Sequence, residues 1–210
     1  MNETILFALL LRLSSVETPA LKTEPEKFQP YLDSVRRMSS LYVEVGKEGA
    51  VVSSDADPLL LATIGFEESR HRLRPKDGDC QQTFGMPRPV CWSVGPMQLS
   101  RATTQWWPKI APEAAPLTVE LLRDPETNVR VAYRALRFWR DKCGGDLTAT
   151  FSSWSAGKCL RSVGLGRRRC AIARALGAAA NIPVPECSTR GRMDRRTQNF
   201  ANAITKKDNP

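Results

Sequence analysis

Apolar side chains recur at helical spacing over much of this chain, and this periodicity restricts the folds open to it. Two stripes show it most clearly: Tyr31, Leu32, Val35, Met38, Leu41 and Tyr42 form one, and Val129, Tyr133, Leu136 and Trp139 form the other. Strand-like alternation is scarce, and 210 residues with 41% hydrophobic content are enough for a single core. The sequence therefore predicts a mainly α fold.

A helix that ends in an acidic pair is the sharpest local prediction. Asp57 is typical of an N-cap and Pro58 of a first helical position, so we expect a helix from Pro58 to about Ser69. Glu68 extends the apolar face of this helix into its last turn, whereas Glu67 lies one residue off and is expected to face solvent. Apolar surroundings at the carbonyl end of a helix favour the protonated acid, which makes Glu68 a candidate general acid.

Four motifs span residues 57–157. They are residues 57–64 with Glu68-Ser69, then Gly95-Pro96-Met97-Gln98-Leu99 with Ala102-Thr103, then residues 124–130 with Leu136, and finally Trp154-Ser155-Ala156-Gly157. In this order they resemble the catalytic domain of the soluble lytic transglycosylases, a family related to goose-type lysozyme. The resemblance implies a lysozyme-like fold. The stretch between Glu68 and Gly95 is longer than is usual in the family, which indicates an insertion with at most a small hairpin.

The resemblance also implies a reaction that needs a single acid. Glu68 would protonate the glycosidic oxygen leaving N-acetylmuramic acid, and would then act as the base while the sugar's own C6 hydroxyl closes onto C1. The product would be a 1,6-anhydro sugar, formed without the second carboxylate of the hydrolases. In this interpretation Ser69 orients Glu68, and the other substrate contacts come from Gly95, Met97, Gln98, Thr103, Trp154 and Ser155.

Some residues depart from the family pattern. Trp154 stands where the family has Tyr, Ser155 where it has Asn, and Pro96 where it has Leu. A Trp can wall a sugar subsite by stacking, but it has no hydroxyl to hold the acid. Met97 is as well explained by a core position as by a substrate contact.

Two aspartates beyond Glu68 leave a hydrolytic alternative open. Asp77 and Asp79 lie 9 and 11 residues after it, on the segment where goose-type lysozymes place water-positioning acids. If either folded over the cleft, the enzyme would be a muramidase. The composition Asp77-Gly78-Asp79 is more typical of a turn, which is the interpretation we favour.

Six cysteines without a Cys-x-x-Cys pair favour disulfides in an oxidising compartment over a zinc or redox centre: Cys80, Cys91, Cys143, Cys159, Cys170 and Cys187. Free thiols in a cytoplasmic protein are the alternative. Cys80 to Cys91 is the first pairing we expect, because it would close one loop, which holds at most a small hairpin. His71 is the single histidine, so we expect no metal and no cofactor.

The N-terminal segment 1–27 is open to several interpretations. Residues 5–11 form an apolar run that is too short to span a membrane and lacks a basic segment before it. A weak secretory signal, a reduced phage-type signal and a first helix of the domain all fit it. The substrate implied by the resemblance places the protein in the periplasm or cell envelope, exported or phage-delivered.

Positive charge is concentrated after the predicted lysozyme-like domain, residues 28–160. Residues 158–210 hold twelve Lys or Arg and three Asp or Glu, which accounts for the whole-chain net charge of +9. The Arg167-Arg168-Arg169 and Arg195-Arg196 clusters could attract acidic envelope polymers or nucleic acid, although a solvated basic surface is more usual. In this extension, 161–210, we expect a helix over 171–180 and a loop at Gly164-Leu165-Gly166.

Two classes of function follow. The first is a monomeric enzyme whose partner is the peptidoglycan glycan strand, with acidic envelope polymers bound by the basic extension. The second is a non-catalytic peptidoglycan- or nucleic-acid-binding protein on a lysozyme-like scaffold. Glu68 distinguishes them, because a pure binding module has no need of an acid facing Gly-x-Met-Gln.

Overall fold

The structure is a computed structural model that describes residues 1–48, 56–81, 90–160, 164–185, 187 and 195–205. Nine α-helices lie in these ranges: α1 Glu3–Glu17, α2 Ala20–Thr23, α3 Gln29–Lys47, α4 Asp57–Ser69, α5 Ala102–Ile110, α6 Pro125–Lys142, α7 Leu147–Ala156, α8 Gly164–Ala180 and α9 Arg195–Thr205. Short 3-10 helices cover Pro25–Phe28 and Leu121–Arg123. The predicted mainly α class is confirmed.

Helix α4 lies at the centre of the fold. Every residue from Asp57 to Phe66 is buried, because α1, α3, α6 and α8 all pack around this helix. A helix that is apolar on all sides is typical of a core position. It ends at Ser69 as predicted, since Arg70 turns into the left-handed region at φ 55° and its N–H bonds to the Phe66 carbonyl at 3.1 Å.

Asp57 does not cap α4, contrary to the prediction. The N-cap is Ala56, and Asp57 is a buried residue inside the helix. Its carboxylate accepts hydrogen bonds from the Tyr133 hydroxyl at 2.8 Å and from Arg140 Nη1 at 2.9 Å, both on α6. These partners, 76 and 83 residues away, satisfy the buried charge and join α4 to α6. Burial and this hydrogen bond raise the pKa of Tyr133 to about 12.

A small antiparallel sheet follows α4. Its strands β1 Gly78–Gln81, β2 Val90–Val94 and β3 Leu99–Ser100 lie in that order. Strands β1 and β2 form a small hairpin, which is the most strand structure expected for the Cys80–Cys91 segment.

The predicted turn at Asp77-Gly78-Asp79 is wrong. Gly78 and Asp79 belong to strand β1, where Gly78 stands opposite Ser93 of β2. The turn-rich composition is overridden because β2 supplies hydrogen-bonding partners for the backbone of this segment.

Both ends of the described chain join the same core. The apolar face of α1 is buried through Leu6, Leu9, Leu10 and Leu13, and helices α8 and α9 add Ile172, Leu176, Phe200 and Ile204 to the same cluster. Of the interpretations of the N-terminal run, a first helix of the domain matches this packing. Among the described helices, none has the length and apolar character needed to cross a membrane.

The predicted loop at 164–166 is wrong, because α8 already begins at Gly164. Gly166 serves close packing here: a Cβ at this position would lie 2.5 Å from the Thr148 carbonyl oxygen on α7. Its small size lets α7 and α8 approach each other. The helix predicted over 171–180 is confirmed as the later part of α8.

Two disulfides hold the second half of the chain. Cys143–Cys159 joins the end of α6 to the segment after α7, and Cys170–Cys187 joins α8 to the segment that follows it. The Cα atoms are 5.5 Å and 6.1 Å apart, within the usual range for a disulfide. Cys80 and Cys91 stand opposite each other in the register of β1 and β2, and their side chains lie outside the described residues.

The α7–α8 contact gives a direct stability test. Gly166→Ala should lower the free energy of unfolding by about 1–3 kcal/mol, because the new methyl group overpacks a helix contact. Gly164→Ala is the matched control, since a Cβ there meets nothing within 4 Å; it should leave stability unchanged or raise it slightly. Urea unfolding followed by circular dichroism measures both. Equal effects of the two substitutions would contradict the assigned packing.

Candidate active site

Two acids at the end of α4 face two arginines of α8. Arg168 Nε donates to Glu67 Oε2 at 2.8 Å, and Arg169 Nη2 donates to Glu68 Oε1. The acids are neighbours in the sequence, and so are the arginines. The two ion pairs are therefore adjacent, and both join the end of α4 to α8.

Burial of the two acids is the reverse of the prediction. The Glu67 side chain is 2% exposed, whereas that of Glu68 is 19% exposed. The prediction that Glu67 faces solvent is wrong because α4 is surrounded by other helices near its end, and Arg168 supplies the counter-charge that Glu67 needs. Glu68 is the acid that keeps access to solvent.

Arg169 is the largest fully buried side chain among the described residues. Besides its ion pair with Glu68, its Nη1 donates to the Phe151 carbonyl on α7 at 3.2 Å. Burial lowers the pKa of Arg169, and the negative charge of Glu68 opposes that shift. A buried guanidinium is tolerated only with a counter-charge. Arg169 is thus not part of the solvated basic surface expected for this segment, and it joins α4, α7 and α8.

The surroundings of Glu68 differ from the sequence-based expectation in two ways. The Arg169 guanidinium favours the ionised carboxylate, whereas apolar neighbours on α4 alone would favour the protonated acid. Ser69 Oγ donates to the Gly65 carbonyl at 3.2 Å, and this bond does not orient Glu68. Helical periodicity shows which residues of α4 share a face. It cannot show that Arg169 of α8 contacts Glu68.

Asn128, a fully buried residue of α6, fixes the Gly95–Gln98 turn by hydrogen bonds. Asn128 Oδ1 accepts from the Met97 N–H at 2.7 Å, while its Nδ2 donates to the carbonyls of Leu122 at 2.7 Å and Val94 at 3.1 Å. Gly95 has φ +73°, and a Cβ there would lie 2.5 Å from the Leu122 carbonyl oxygen. The second and third motifs therefore meet in one hydrogen-bonded unit.

This turn lies against α4, one helical turn before Glu68. Met97 is fully buried, and its sulfur would lie 3.4 Å from a Cβ placed at Gly65. Burial favours the core interpretation of Met97 over a substrate contact. Gln98 has φ 45°, and its Nε2 donates to the Gly95 carbonyl at 2.9 Å, so the amide closes the turn.

The other predicted contacts lie on neighbouring helices. Trp154 is half-buried on α7, one turn after Phe151, whose carbonyl binds Arg169. Thr103 is half-buried in the first turn of α5. The Ser155 side chain lies outside the described residues. The structure thus connects α7 to Glu68 through Arg169.

Two exposed tryptophans were not identified from the sequence. Trp92 on β2 is 50% exposed and Trp106 on α5 is 49% exposed. They flank the Gly95–Gln98 turn in the sequence, and exposed indole rings are suited to stacking on sugars. Their aromatic character was the available signal, but residue type alone does not separate an exposed Trp from a core Trp.

The aspartates of the hydrolytic alternative are placed as follows. Asp77 accepts a hydrogen bond from Arg123 Nη2 at 2.8 Å, and its side chain is 23% exposed. A cation therefore neutralises this carboxylate in the structure. The Asp79 side chain lies outside the described residues.

His71 is a buried core residue two positions beyond α4. The Tyr42 hydroxyl lies 3.3 Å from its Nδ1, and the Phe66 ring centroid is 5.6 Å from its own. Burial lowers the pKa of His71 to about 3, and the positive charge of Arg70 adds to this shift. In the part of the chain that the structure describes, no group of three His, Cys, Asp or Glu side chains is arranged to hold a metal ion.

The burial of His71 predicts a loss of stability on mild acidification. An unfolded histidine takes up a proton near its ordinary pKa of about 6.5, whereas folded His71 stays neutral down to a pKa of about 3. The unfolded state therefore binds more protons as the pH falls. We expect the free energy of unfolding to decrease by up to about 1.4 kcal/mol per pH unit below that point.

Urea unfolding of the wild type and His71→Asn at closely spaced pH values between about 7 and about 5 measures this slope. Asparagine tolerates the left-handed backbone at this position, φ 59°, and does not titrate. The variant should lose the histidine contribution to the slope, whatever its absolute stability. Parallel curves for the two proteins would contradict the assigned burial.

No family model matches the chain. Neither the curated proteins nor the solved structures contain a match to it.

Proposed function

We propose that this protein is a lysozyme-like lytic transglycosylase that cleaves the β-1,4 bond between N-acetylmuramic acid and N-acetylglucosamine in peptidoglycan. The observation that carries the proposal is the meeting of the motif segments around the end of α4. Asn128 holds the Gly95–Gln98 turn, Met97 packs this turn near Gly65, and Arg169 connects Glu68 to α7. Segments far apart in the sequence thus contact the second half of α4, which carries the partly exposed Glu68.

Glu68 would act first as acid and then as base. It would protonate the departing glycosidic oxygen, and its carboxylate would then accept the proton of the C6 hydroxyl as that oxygen bonds to C1. The C1–O bond breaks as the 1,6-anhydro ring forms, and no water is consumed. The ion pair with Arg169 stabilises the ionised carboxylate, so Glu68 has to turn away from Arg169 to carry a proton to the sugar.

Arg169 has a role in this proposal as a positioning residue. Its guanidinium is fixed by the Phe151 carbonyl and by burial, so it offers a stable partner to Glu68 after the proton has left. Trp154, on the same helix as Phe151, would wall a sugar subsite, and the exposed Trp92 would add a stacking surface. Trp106 is exposed as well, but Lys109 Nζ already lies 4.6 Å from the centroid of its ring.

A second candidate function is supported by the same ion pair. Glu68 and Glu67 both join α4 to α8, which is a structural role that a non-catalytic peptidoglycan- or nucleic-acid-binding protein would retain. Hydrolysis by a muramidase mechanism is the third outcome. It would need a water-positioning acid, and Asp77 is held by Arg123.

The cellular setting follows from the substrate. Two disulfides fit an oxidising, extracellular-type environment, and peptidoglycan lies in such a compartment. We propose a monomer in the periplasm or cell envelope that acts on glycan strands without a cofactor.

The test is digestion of purified peptidoglycan by the wild type, Glu68→Gln and Glu67→Gln, with the released muropeptides identified by mass spectrometry. Glu67→Gln is the matched control, because it also removes an ion pair between α4 and α8 but leaves the candidate acid in place. We expect anhydro muropeptides from the wild type and from Glu67→Gln, and a loss of about a hundredfold or more in Glu68→Gln. Circular dichroism at the assay temperature confirms that each variant is folded.

The other outcomes assign the alternatives. Products with reducing ends, heavier by one water, would make the protein a muramidase and direct attention to Asp77 and Asp79. Equal activity of folded Glu68→Gln and Glu67→Gln would remove Glu68 from the mechanism. A folded wild type that releases nothing would favour the binding protein.

A further inference from the structure

A basic pocket opens just beyond the end of α4. It has a volume of about 580 Å³ and is lined by Pro30, Tyr31, Asp33, Ser34 and Arg37 of α3 and by Arg72, Leu73 and Arg74. The Arg72 N–H bonds to the Ser69 carbonyl at 3.2 Å, so the pocket begins directly after the last turn of α4. It does not include Glu68.

The walls of this pocket are tied together by Ser34. Its hydroxyl donates to the His71 carbonyl at 2.9 Å and accepts from the Leu73 N–H at 2.6 Å. These bonds fix the backbone of the segment that carries Arg72 and Arg74 against α3. Arg37 lies one helical turn after Ser34 and therefore on the same face of α3. The backbone of the segment with Arg72 and Arg74 is therefore held against the helix that carries Arg37.

The charges in the pocket do not cancel. Within the described ranges, no carboxylate lies at ion-pair distance from Arg37, Arg72 or Arg74, and Asp33 accepts a hydrogen bond from Gln29 at 2.8 Å. Other surface arginines are partnered, as Arg134 is by Glu113 at 2.9 Å. Three guanidinium groups against one carboxylate leave the pocket with a net charge of about +2.

The remaining walls are apolar. Pro30, the half-buried Tyr31 and Leu73 line the same pocket as the arginines. Guanidinium forks bind carboxylates and phosphates equally well, so charge alone does not separate these ligands. An apolar wall favours an anion that is carried on an aliphatic or peptide body over a hydrated sugar-phosphate chain.

We propose that this pocket binds a short acidic peptide through two or more of its carboxylates. If peptidoglycan is the substrate, as proposed above, its stem peptides are such ligands, and the pocket would hold the peptide branch next to the site that cleaves the glycan. The binding chemistry itself does not depend on Glu68 or on any cleavage.

The experiment measures binding of a synthetic stem tetrapeptide with both amines acetylated, N-acetyl-L-alanyl-γ-D-glutamyl-Nε-acetyl-L-lysyl-D-alanine, by isothermal titration calorimetry at low ionic strength. This peptide carries two carboxylates and no ammonium group. The proteins are the wild type, Arg72→Gln/Arg74→Gln and Arg36→Gln. Arg36 is the matched control because it is exposed on α3 over the Phe7 ring and does not line the pocket. We expect saturable binding by the wild type and Arg36→Gln, and at least about tenfold weaker binding by the double variant.

Two further probes sharpen the result. The same peptide with both carboxyl groups amidated should lose binding, and inorganic pyrophosphate, a small anion without an apolar body, should bind more weakly than the free peptide. The proposal is overturned by absence of saturable peptide binding, by equal affinity of the double variant and Arg36→Gln, by retained binding of the amidated peptide, or by tighter binding of pyrophosphate that is lost in the double variant. Each of these results is independent of muropeptide release, so failure of the pocket and failure of the cleavage proposal are distinguishable.

Discussion

The pairing of Glu67 and Glu68 with Arg168 and Arg169 is the interaction on which the candidate site depends. Helix α4 is apolar from Pro58 to Phe66 except for Thr63, and it then carries two carboxylates into contact with neighbouring helices. Burial of charge there would be costly without counter-charges. Helix α8 supplies them, and this fixes the end of α4 relative to α7 and α8. The segment after residue 160 is thereby part of the site and of the core.

A second fixed point is Asn128, whose single amide satisfies three backbone groups at the Gly95–Gln98 turn and its neighbours. Asn128 fixes the turn that packs on α4, and Arg168 and Arg169 fix α8 against the same helix. Glu68 pairs with Arg169 and retains partial exposure. The ion pair that positions Glu68 also favours its ionised form. A mechanism in which Glu68 donates a proton therefore requires this pair to weaken or open first.

Local patterns predicted the elements well. The apolar stripes indicated α3 and α6, the Pro58 signal indicated α4, and the cysteine-flanked segment indicated the β1–β2 hairpin. Errors arose where a residue's role depends on a partner far away in the sequence. Asp57 looked like a cap but binds α6, and Glu67 looked exposed but binds α8.

Predictions from composition were wrong where tertiary packing determines the local structure. Gly164-Leu165-Gly166 has the composition of a loop, yet Gly166 permits helix contact with α7. Three consecutive arginines suggested a solvated surface, yet Arg169 is buried. The pocket of Arg37, Arg72 and Arg74 was not predicted, since a bond from Ser34 to residues 71 and 73 brings α3 and the later segment together. Such long-range pairings have no signature in a single sequence.

The most direct measurement of the central interaction is a double-mutant cycle on Glu68 and Arg169. The free energy of unfolding would be measured for the wild type, Glu68→Gln, Arg169→Met and the double variant. We expect a coupling of about 1.5–3 kcal/mol, because either single substitution leaves a charge or dipole in the helix contact without its partner. Additive effects, within about 0.5 kcal/mol, would show that α4 and α8 are not held together by this pair.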